Sequence, residues 1–201
     1  MLEAAPSGRA KCRACGQTIA KGDVRFGEAL PNPYGEGETQ AWFHLVCAAC
    51  ARPESVQGTL ADSSLALADR EWLWRAVQFG IEHPRAARIA RAERASSGRA
   101  TCRQCRELIE KGAFRIALHM FEEGRMSPIG TIHARCGAAY FGTIDVVDRI
   151  ERLTPELQPD DLAEIATLLE AGKDAAPGLA KTRPSEPPLA SAESDAAKSG
   201  T

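Results

Sequence analysis

Two stretches of the chain repeat each other. Residues 7–26 read SGRAKCRACGQTIAKGDVRF and residues 97–116 read SGRATCRQCRELIEKGAFRI, identical at eleven of twenty positions at an offset of 90. Further along, His44-x2-Cys47 answers to His133-x2-Cys136 at an offset of 89, one residue having been lost between. A repeat this long means two units with one fold, and it fixes which cysteines belong together. Each unit then owns a Cys-x2-Cys pair and a His-x2-Cys pair.

The chemistry of those pairs follows from cysteine usage. Seven cysteines are an odd number, and Met1–Ala10 has no apolar core of a signal peptide, which argues against a secreted disulfide framework. No stretch approaches a membrane span. The reading is an intracellular, reducing compartment with no membrane partner, where paired cysteines bind metal. A Cys-x2-Cys turn presents two thiolates to one ion, and a structural zinc site wants four such ligands in a tetrahedron. The second unit supplies Cys102, Cys105, His133 and Cys136; the first supplies Cys12, Cys15, His44 and Cys47. Two zinc ions, one per unit, are the implied cofactors. Cys47-x2-Cys50 also has ligand spacing, so Cys12, Cys15, Cys47 and Cys50 form an alternative first set with His44 displaced. The recurrence of His-x2-Cys favours His44 and makes Cys50 a small buried hydrophobe. His119 is the competing ligand in the second unit and lies outside the repeat.

Composition agrees with a metal-stapled fold. The 44% hydrophobic content includes 35 alanines, and aromatics are 5%, so a single large core is not expected and small cores need staples. Structural zinc contributes on the order of 10–16 kcal/mol to folding small modules, so each unit is expected to be largely unfolded without metal.

Strand-like pieces are predicted at Val24–Phe26 and Ala41–Phe43, and again at Ala113–Leu118 and Thr131–Ile132. Helical periodicity follows the His-x2-Cys pairs. Residues 68–79 place Trp72, Leu73, Ala76 and Val77 on one stripe; residues 160–171 do the same with Leu162, Ile165, Leu168 and Leu169. Pro159 suits a first helical position and Gly172 a cap. A basic helix over 84–95 is expected to bridge the units, with Arg85, Arg88, Arg91 and Arg94 every third residue. The fold class expected is α+β: two small zinc-stabilised modules, each a short antiparallel sheet with flanking helices. The bounds are 1–80 for the first module, 81–96 for the linker helix, 97–172 for the second module and 173–201 for a disordered tail rich in Pro, Ser, Ala and Lys.

The combination SGRAxCRxC, then I-x-K-G, a strand containing Arg, a loop and His-x2-Cys resembles the poly(ADP-ribose) polymerase-type zinc finger. That family separates its pairs by close to thirty residues; here 28 lie between Cys15 and His44, and 27 between Cys105 and His133. LTPELQPDDLAEIATLLEAG is similar to the family's closing segment. The resemblance implies recognition of DNA strand breaks, nicks or ends, through backbone contacts and base stacking, in DNA repair or damage sensing. It implies backbone contacts for Arg9 and Arg99 and DNA-reaching strand arginines at Arg25 and Arg115. The stacking loops implied are PNPYGEGETQ, where Tyr34 is the large side chain, and MFEEGRMSPIG, which offers Phe121, Met126 and Ile129. A DNA repair enzyme is an implied partner.

No phosphate-cradling glycine loop or nucleophile motif accompanies the fingers, so a stand-alone binding protein without catalysis is expected. Charge keeps other readings open. Residues 82–115 hold nine Lys/Arg against four Asp/Glu, while residues 145–174 hold nine Asp/Glu against three Lys/Arg. The acidic half and the net charge of −2 suit a zinc-stabilised protein-interaction module, and Cys50 suits a redox or metal-responsive regulator. The Ala- and Arg-rich composition hints at a GC-rich bacterium, which would place the protein in cytoplasm or nucleoid; a eukaryotic source would place it in the nucleus.

Overall fold

A computed structural model describes residues 1–32, 35–122 and 124–173. The first unit opens with strands β1 (Leu2–Ala4), β2 (Val24–Pro31) and β3 (Glu38–His44), followed by helices α1 (Leu45–Ala51), α2 (Pro53–Asp62) and α3 (Arg70–Glu82). After a 3-10 turn at Ala86–Arg88, the second unit has β4 (Ile89–Arg94), β5 (Phe114–Glu122) and β6 (Arg125–His133), a 3-10 turn at Ala134–Cys136, and α4 (Gly137–Phe141), α5 (Val147–Leu153) and α6 (Pro159–Ala171). Each unit is thus a three-stranded antiparallel sheet, β1-β2-β3 or β4-β5-β6, covered by helices. Apart from Lys173, the tail expected over 173–201 lies outside the described residues.

Alternation explains the sheets. Phe26 and Phe43 are partners across β2 and β3, and Ile116 and Ile132 across β5 and β6; all four are buried. The stripe of α3 holds as read, with Trp72, Leu73, Ala76 and Val77 buried, and Ile165 and Leu169 are the buried positions of α6. Pro159 opens α6, and the Gln158 amide donates to Asp161 Oδ2 at 3.2 Å, satisfying one orphan donor of the first turn. Gly172 caps α6 as expected, its amide donating to the Leu168 carbonyl at 3.1 Å, but from a right-handed backbone. Its φ is −77°, and a Cβ there would lie 1.8 Å from the Arg135 carbonyl oxygen.

The helix expected over 84–95 is not one. Its first half is the 3-10 turn, and Ile89–Arg94 is an edge strand of the second sheet. The pairing repeats the first unit: Leu2↔Phe26 and Glu3↔Arg25 correspond to Ala92↔Ile116 and Glu93↔Arg115. Arginines every third residue imitated a helical face, but the ladder to β5 gives this backbone its hydrogen bonds. The row also disperses. Arg85 donates to the Tyr140 carbonyl, Arg91 pairs with Glu93, and Arg94 pairs with Asp161 and Glu164. The second module accordingly begins in the stretch assigned to a linker.

The two units are joined by packed contacts. Arg149 of α5 is 3% exposed and inserts between two helices of the first unit, donating to Cys50 O at 2.8 Å and Ala76 O at 2.6 Å. Gly80 leaves room for it: a Cβ there would sit 3.3 Å from Arg149 Nη2 and 2.9 Å from Pro53 Cγ. Beside it, the Trp72 indole donates to Asp148 at 2.5 Å, and Arg152 pairs with Asp69 at 2.9 Å. Phe121, near the end of β5, packs 6.1 Å from the Phe43 ring with Arg52 stacked above it at 4.1 Å. Arg149→Ala removes a charge-assisted bond to each unit-one carbonyl in a site closed to water, and is expected to cost about 3 kcal/mol. Urea unfolding of the zinc-loaded chain measures it.

Candidate metal centres and nucleic-acid interface

The Cys-x2-Cys turns are built identically. In the first, Gly16 N donates to Cys12 O at 2.9 Å, Cys12 N to Gln17 O at 2.8 Å and Ile19 N to Ala10 O at 2.9 Å. In the second, Arg106 N donates to Cys102 O at 2.9 Å, Cys102 N to Glu107 O at 2.8 Å and Ile109 N to Ala100 O at 2.8 Å. Each histidine ends the third strand of its sheet in the same backbone conformation, His44 at φ −56°, ψ 144° and His133 at φ −59°, ψ 145°. The chain then turns helical, which brings the cysteine three residues on back beside the imidazole.

In the first cluster His44 Nδ1 lies 3.4 Å from Cys15 Sγ and 3.9 Å from Cys47 Sγ; in the second, His133 Nδ1 lies 3.4 Å from Cys105 Sγ and 3.8 Å from Cys136 Sγ. All ligand atoms of each set fall within 4.8 Å of one another. A zinc tetrahedron with bonds of about 2.3 Å to sulfur and about 2.05 Å to nitrogen has edges of roughly 3.5–3.8 Å. The clusters have that size and the donor set zinc prefers. Nε2 of His44 faces the Thr18 carbonyl at 3.2 Å, and Nε2 of His133 faces the Leu108 carbonyl at 3.1 Å. Each acceptor holds the proton on Nε2 and leaves Nδ1 to the metal. The amides of His44 and His133 also donate to Cys12 and Cys102 sulfur at 3.4 Å.

Hydrogen bonding splits the thiols of each cluster: bonds with Cys12 and Cys102 push Cys47 and Cys136 up, while Cys12 and Cys102 themselves are pushed down. A hydrogen bond from Cys15 leads the forces that push the Cys12 thiol far below its ordinary value, and one from Cys136 lowers Cys102 to about 4. With three thiolates and one imidazole around each ion, no position is open, so the centres are structural. The chain binds two Zn2+ ions. Cys50 belongs to neither set: it is 1% exposed, with its thiol pushed up to about 11 by burial and its carbonyl taken by Arg149. His119 is likewise no ligand. It is buried in β5 with Nε2 unpartnered, and burial lowers its pKa.

Residues 3–81 match the family model described as the poly(ADP-ribose) polymerase and DNA-ligase Zn-finger region. The first module is a PARP-type zinc finger. The chain is 33% identical over 133 residues to poly [ADP-ribose] polymerase 1 of Gallus gallus, covering 59% of this chain and 13% of that protein. It is 27% identical over 214 residues to poly [ADP-ribose] polymerase of Sarcophaga peregrina, covering 90% of this chain and 20% of the relative. With poly [ADP-ribose] polymerase 1 of Oryza sativa subsp. japonica the identity is 30% over 143 residues, 67% of this chain and 14% of the relative. The chain therefore spans about a fifth or less of the curated relatives it matches.

The residues expected to meet DNA fall into three groups. Arg9 and Arg99 are exposed on the two SGRA turns, and neither guanidinium has a hydrogen bond or ion pair among the described residues. The backbone at two lysines that were not singled out passes beside these turns: a Cβ on Gly8 or Gly98 would lie 3.8 Å from the backbone nitrogen of Lys21 or Lys111. The signal was the K-G dipeptide of the repeat. Arg25 and Arg115, by contrast, are held within their sheets. Arg25 is 6% exposed, paired with Glu3 at 2.5 Å and stacked 3.5 Å from Trp42. Arg115 donates to Glu93 Oε1 at 3.0 and 2.6 Å. The glutamates stand at the same offset of 90 as the cysteines, a sign that the repeat reaches back to β1 and β4. Among the loop residues, Tyr34 lies outside the described residues. Met126 and Ile129 are half-buried on β6. Phe121 differs from expectation: its ring docks the second module onto the first, because the core beside Phe43 buries more of it than a loop tip would.

Cys50→Ser is expected to leave two zinc ions per chain, whereas Cys12→Ser and Cys102→Ser each release one and melt their module. Metal analysis of the purified variants decides this. Because the thiolates must stay deprotonated, zinc is held at neutral pH and lost as pH falls.

Proposed function

We propose that this chain recognises broken duplex DNA. The observation that carries the proposal is the pair of SGRA turns leading into the zinc clusters, each presenting an exposed arginine whose guanidinium has no hydrogen bond or ion pair among the described residues. Two rigid cationic corners suit the sugar–phosphate backbone, which carries affinity without reading sequence. Met126 and Ile129 supply apolar surface in the second hairpin, where an exposed base-pair face at a nick or end gains by being covered. The relatives named above are poly(ADP-ribose) polymerases, which supports a place in DNA damage sensing, with repair enzymes as partners. They are all eukaryotic; this supports the nucleus and lends nothing to a bacterial nucleoid. No helix among the described residues is long and apolar enough to cross a membrane.

The zinc ions supply rigidity. With their coordination filled, the fingers bind without catalysing, and any reaction belongs elsewhere. The acidic half gives the protein-interaction alternative less support than its sequence suggested. Asp148 is engaged by Trp72, and Asp161 and Glu164 by Arg94, so a third of the nine acids in residues 145–174 serve the fold.

Anisotropy of labelled nicked, blunt-ended and covalently closed duplex, titrated with zinc-loaded protein over a salt series, tests the reading. Tighter binding to nicked or ended DNA is expected. The double change Arg9→Ala with Arg99→Ala should weaken all three and lower the salt slope by roughly 2. Equal affinity for closed and broken duplex would sink the proposal.

A further inference from the structure

We propose that the rim of the second zinc knuckle, formed by Arg106 and Leu108, is an additional DNA-contact subsite that the first knuckle lacks. The proposal rests on the break-binding reading and assigns part of that function to two residues outside the hairpin and the SGRA turn.

The repeat provides an internal comparison. In both knuckles the strand after SGR pairs back on the segment behind the second cysteine, Lys11 with Thr18 and Thr101 with Leu108. Ile19 and Ile109 of these ladders are fully buried, so alternate residues face outward. The outer set is Arg9, Lys11, Thr18 and Ala20 in the first knuckle, and Arg99, Thr101, Leu108 and Glu110 in the second; all eight are exposed. The first face is wholly polar or small and carries two cations. The second has threonine for the lysine, glutamate for the alanine and, for the first knuckle's threonine, a leucine that is 62% exposed. Its backbone is not free to withdraw that side chain, because the Leu108 carbonyl accepts from the zinc ligand His133 at 3.1 Å.

Arg106 makes the same point by backbone conformation. At this turn the first knuckle uses Gly16, φ 75°, where an added Cβ would meet nothing within 4 Å. The second uses arginine at φ 68°, one of two non-glycine residues with positive φ among those described. A side chain bearing a Cβ in the left-handed region carries a conformational cost that glycine avoids. Nothing in the fold offsets it, since the guanidinium is exposed and has no hydrogen bond or ion pair among the described residues. The side chain is explained by something outside the chain.

The surroundings say what. Between the two residues, Glu107 is engaged by Arg135 at 2.9 Å, while Arg99, Arg103 and Lys111 stand on the same knuckle and outnumber its exposed Glu110. One apolar side chain within a cationic rim matches a nucleic-acid strand better than an apolar protein surface. Arg106 suits a phosphate. Leu108 suits the apolar face of a deoxyribose or of a base laid bare at a break. The first knuckle, with Lys11 and Thr18 there, can take phosphate alone, so discrimination between broken and intact duplex lies with the second.

The test exchanges the second rim for the first: Arg106→Gly, Leu108→Thr, and both together, in the full zinc-loaded chain. Both positions are exposed, so two zinc ions and an unchanged or raised melting temperature are expected. Binding is read by anisotropy on a nicked dumbbell and on the same dumbbell sealed. Arg106→Gly should weaken both DNAs by a similar factor and lower the salt slope by about 1. Leu108→Thr should keep the slope and cut the preference for nicked over sealed DNA by about threefold to tenfold. Wild-type affinity, slope and preference in the folded double variant would overturn the subsite while leaving the break reading intact. No preference in the wild type would overturn both.

Discussion

Everything in this chain hangs on four sulfur and nitrogen atoms meeting in each module. The Cys-x2-Cys turn and the His-x2-Cys turn are 28 residues apart in one module and 27 in the other, and closing such a loop costs conformational entropy that a small core does not repay alone. The tetrahedron closes it. Once His44 is held, the end of β3 is pinned to the knuckle, Phe43 is turned into the core and α1 starts where it must. His133 does the same for Ile132 and the helices behind it. The metal therefore acts upstream of the hydrophobic core: it decides which side chains can be buried together.

The second dependence runs between modules. A buried guanidinium is costly unless its donors are matched, and among the described residues those of Arg149 are matched by carbonyls of the other unit. The second module's α5 thus has a charged group that is satisfied in the docked state. Around it, Trp72 with Asp148, Arg152 with Asp69, and Phe121 under Arg52 add polar and apolar pairs. Duplicated fingers could have been beads on a string; here the pair is assembled before any ligand arrives, which removes part of the ordering cost of binding a single extended partner.

How much of this was legible in the sequence differs by element. The zinc quartets, the two sheets and the stripes of α3 and α6 could be read because repetition and periodicity speak directly about local geometry. Cys50 against His44 could be weighed but was decided only by the backbone, which turns Cys50 into the inter-module layer. The edge strand β4 was misread because arginines spaced by three look helical, although Glu93 and Ala95 already stood 90 residues from Glu3 and Ala5. Arg149, Asp148 and Phe121 could not have been assigned: their partners lie some 70 to 100 residues away in sequence, and no local pattern encodes a contact of that range.

The docking of Phe121 changes how the two modules divide a DNA-binding task. A duplicated finger begins with the same groups twice, and any side chain spent on holding the pair together is lost to the ligand. The second hairpin gave up its aromatic ring to the first core, and the strand arginines of both sheets are largely occupied by glutamates. What remains outward is concentrated on the knuckles and on Met126 and Ile129. There the modules are not alike: the first knuckle has cations beside small or polar residues, and the second has a leucine and a left-handed arginine. Rigid coupling makes that asymmetry useful, because a surface that recognises the break need not carry the affinity when its partner, held at a fixed distance, already grips the backbone.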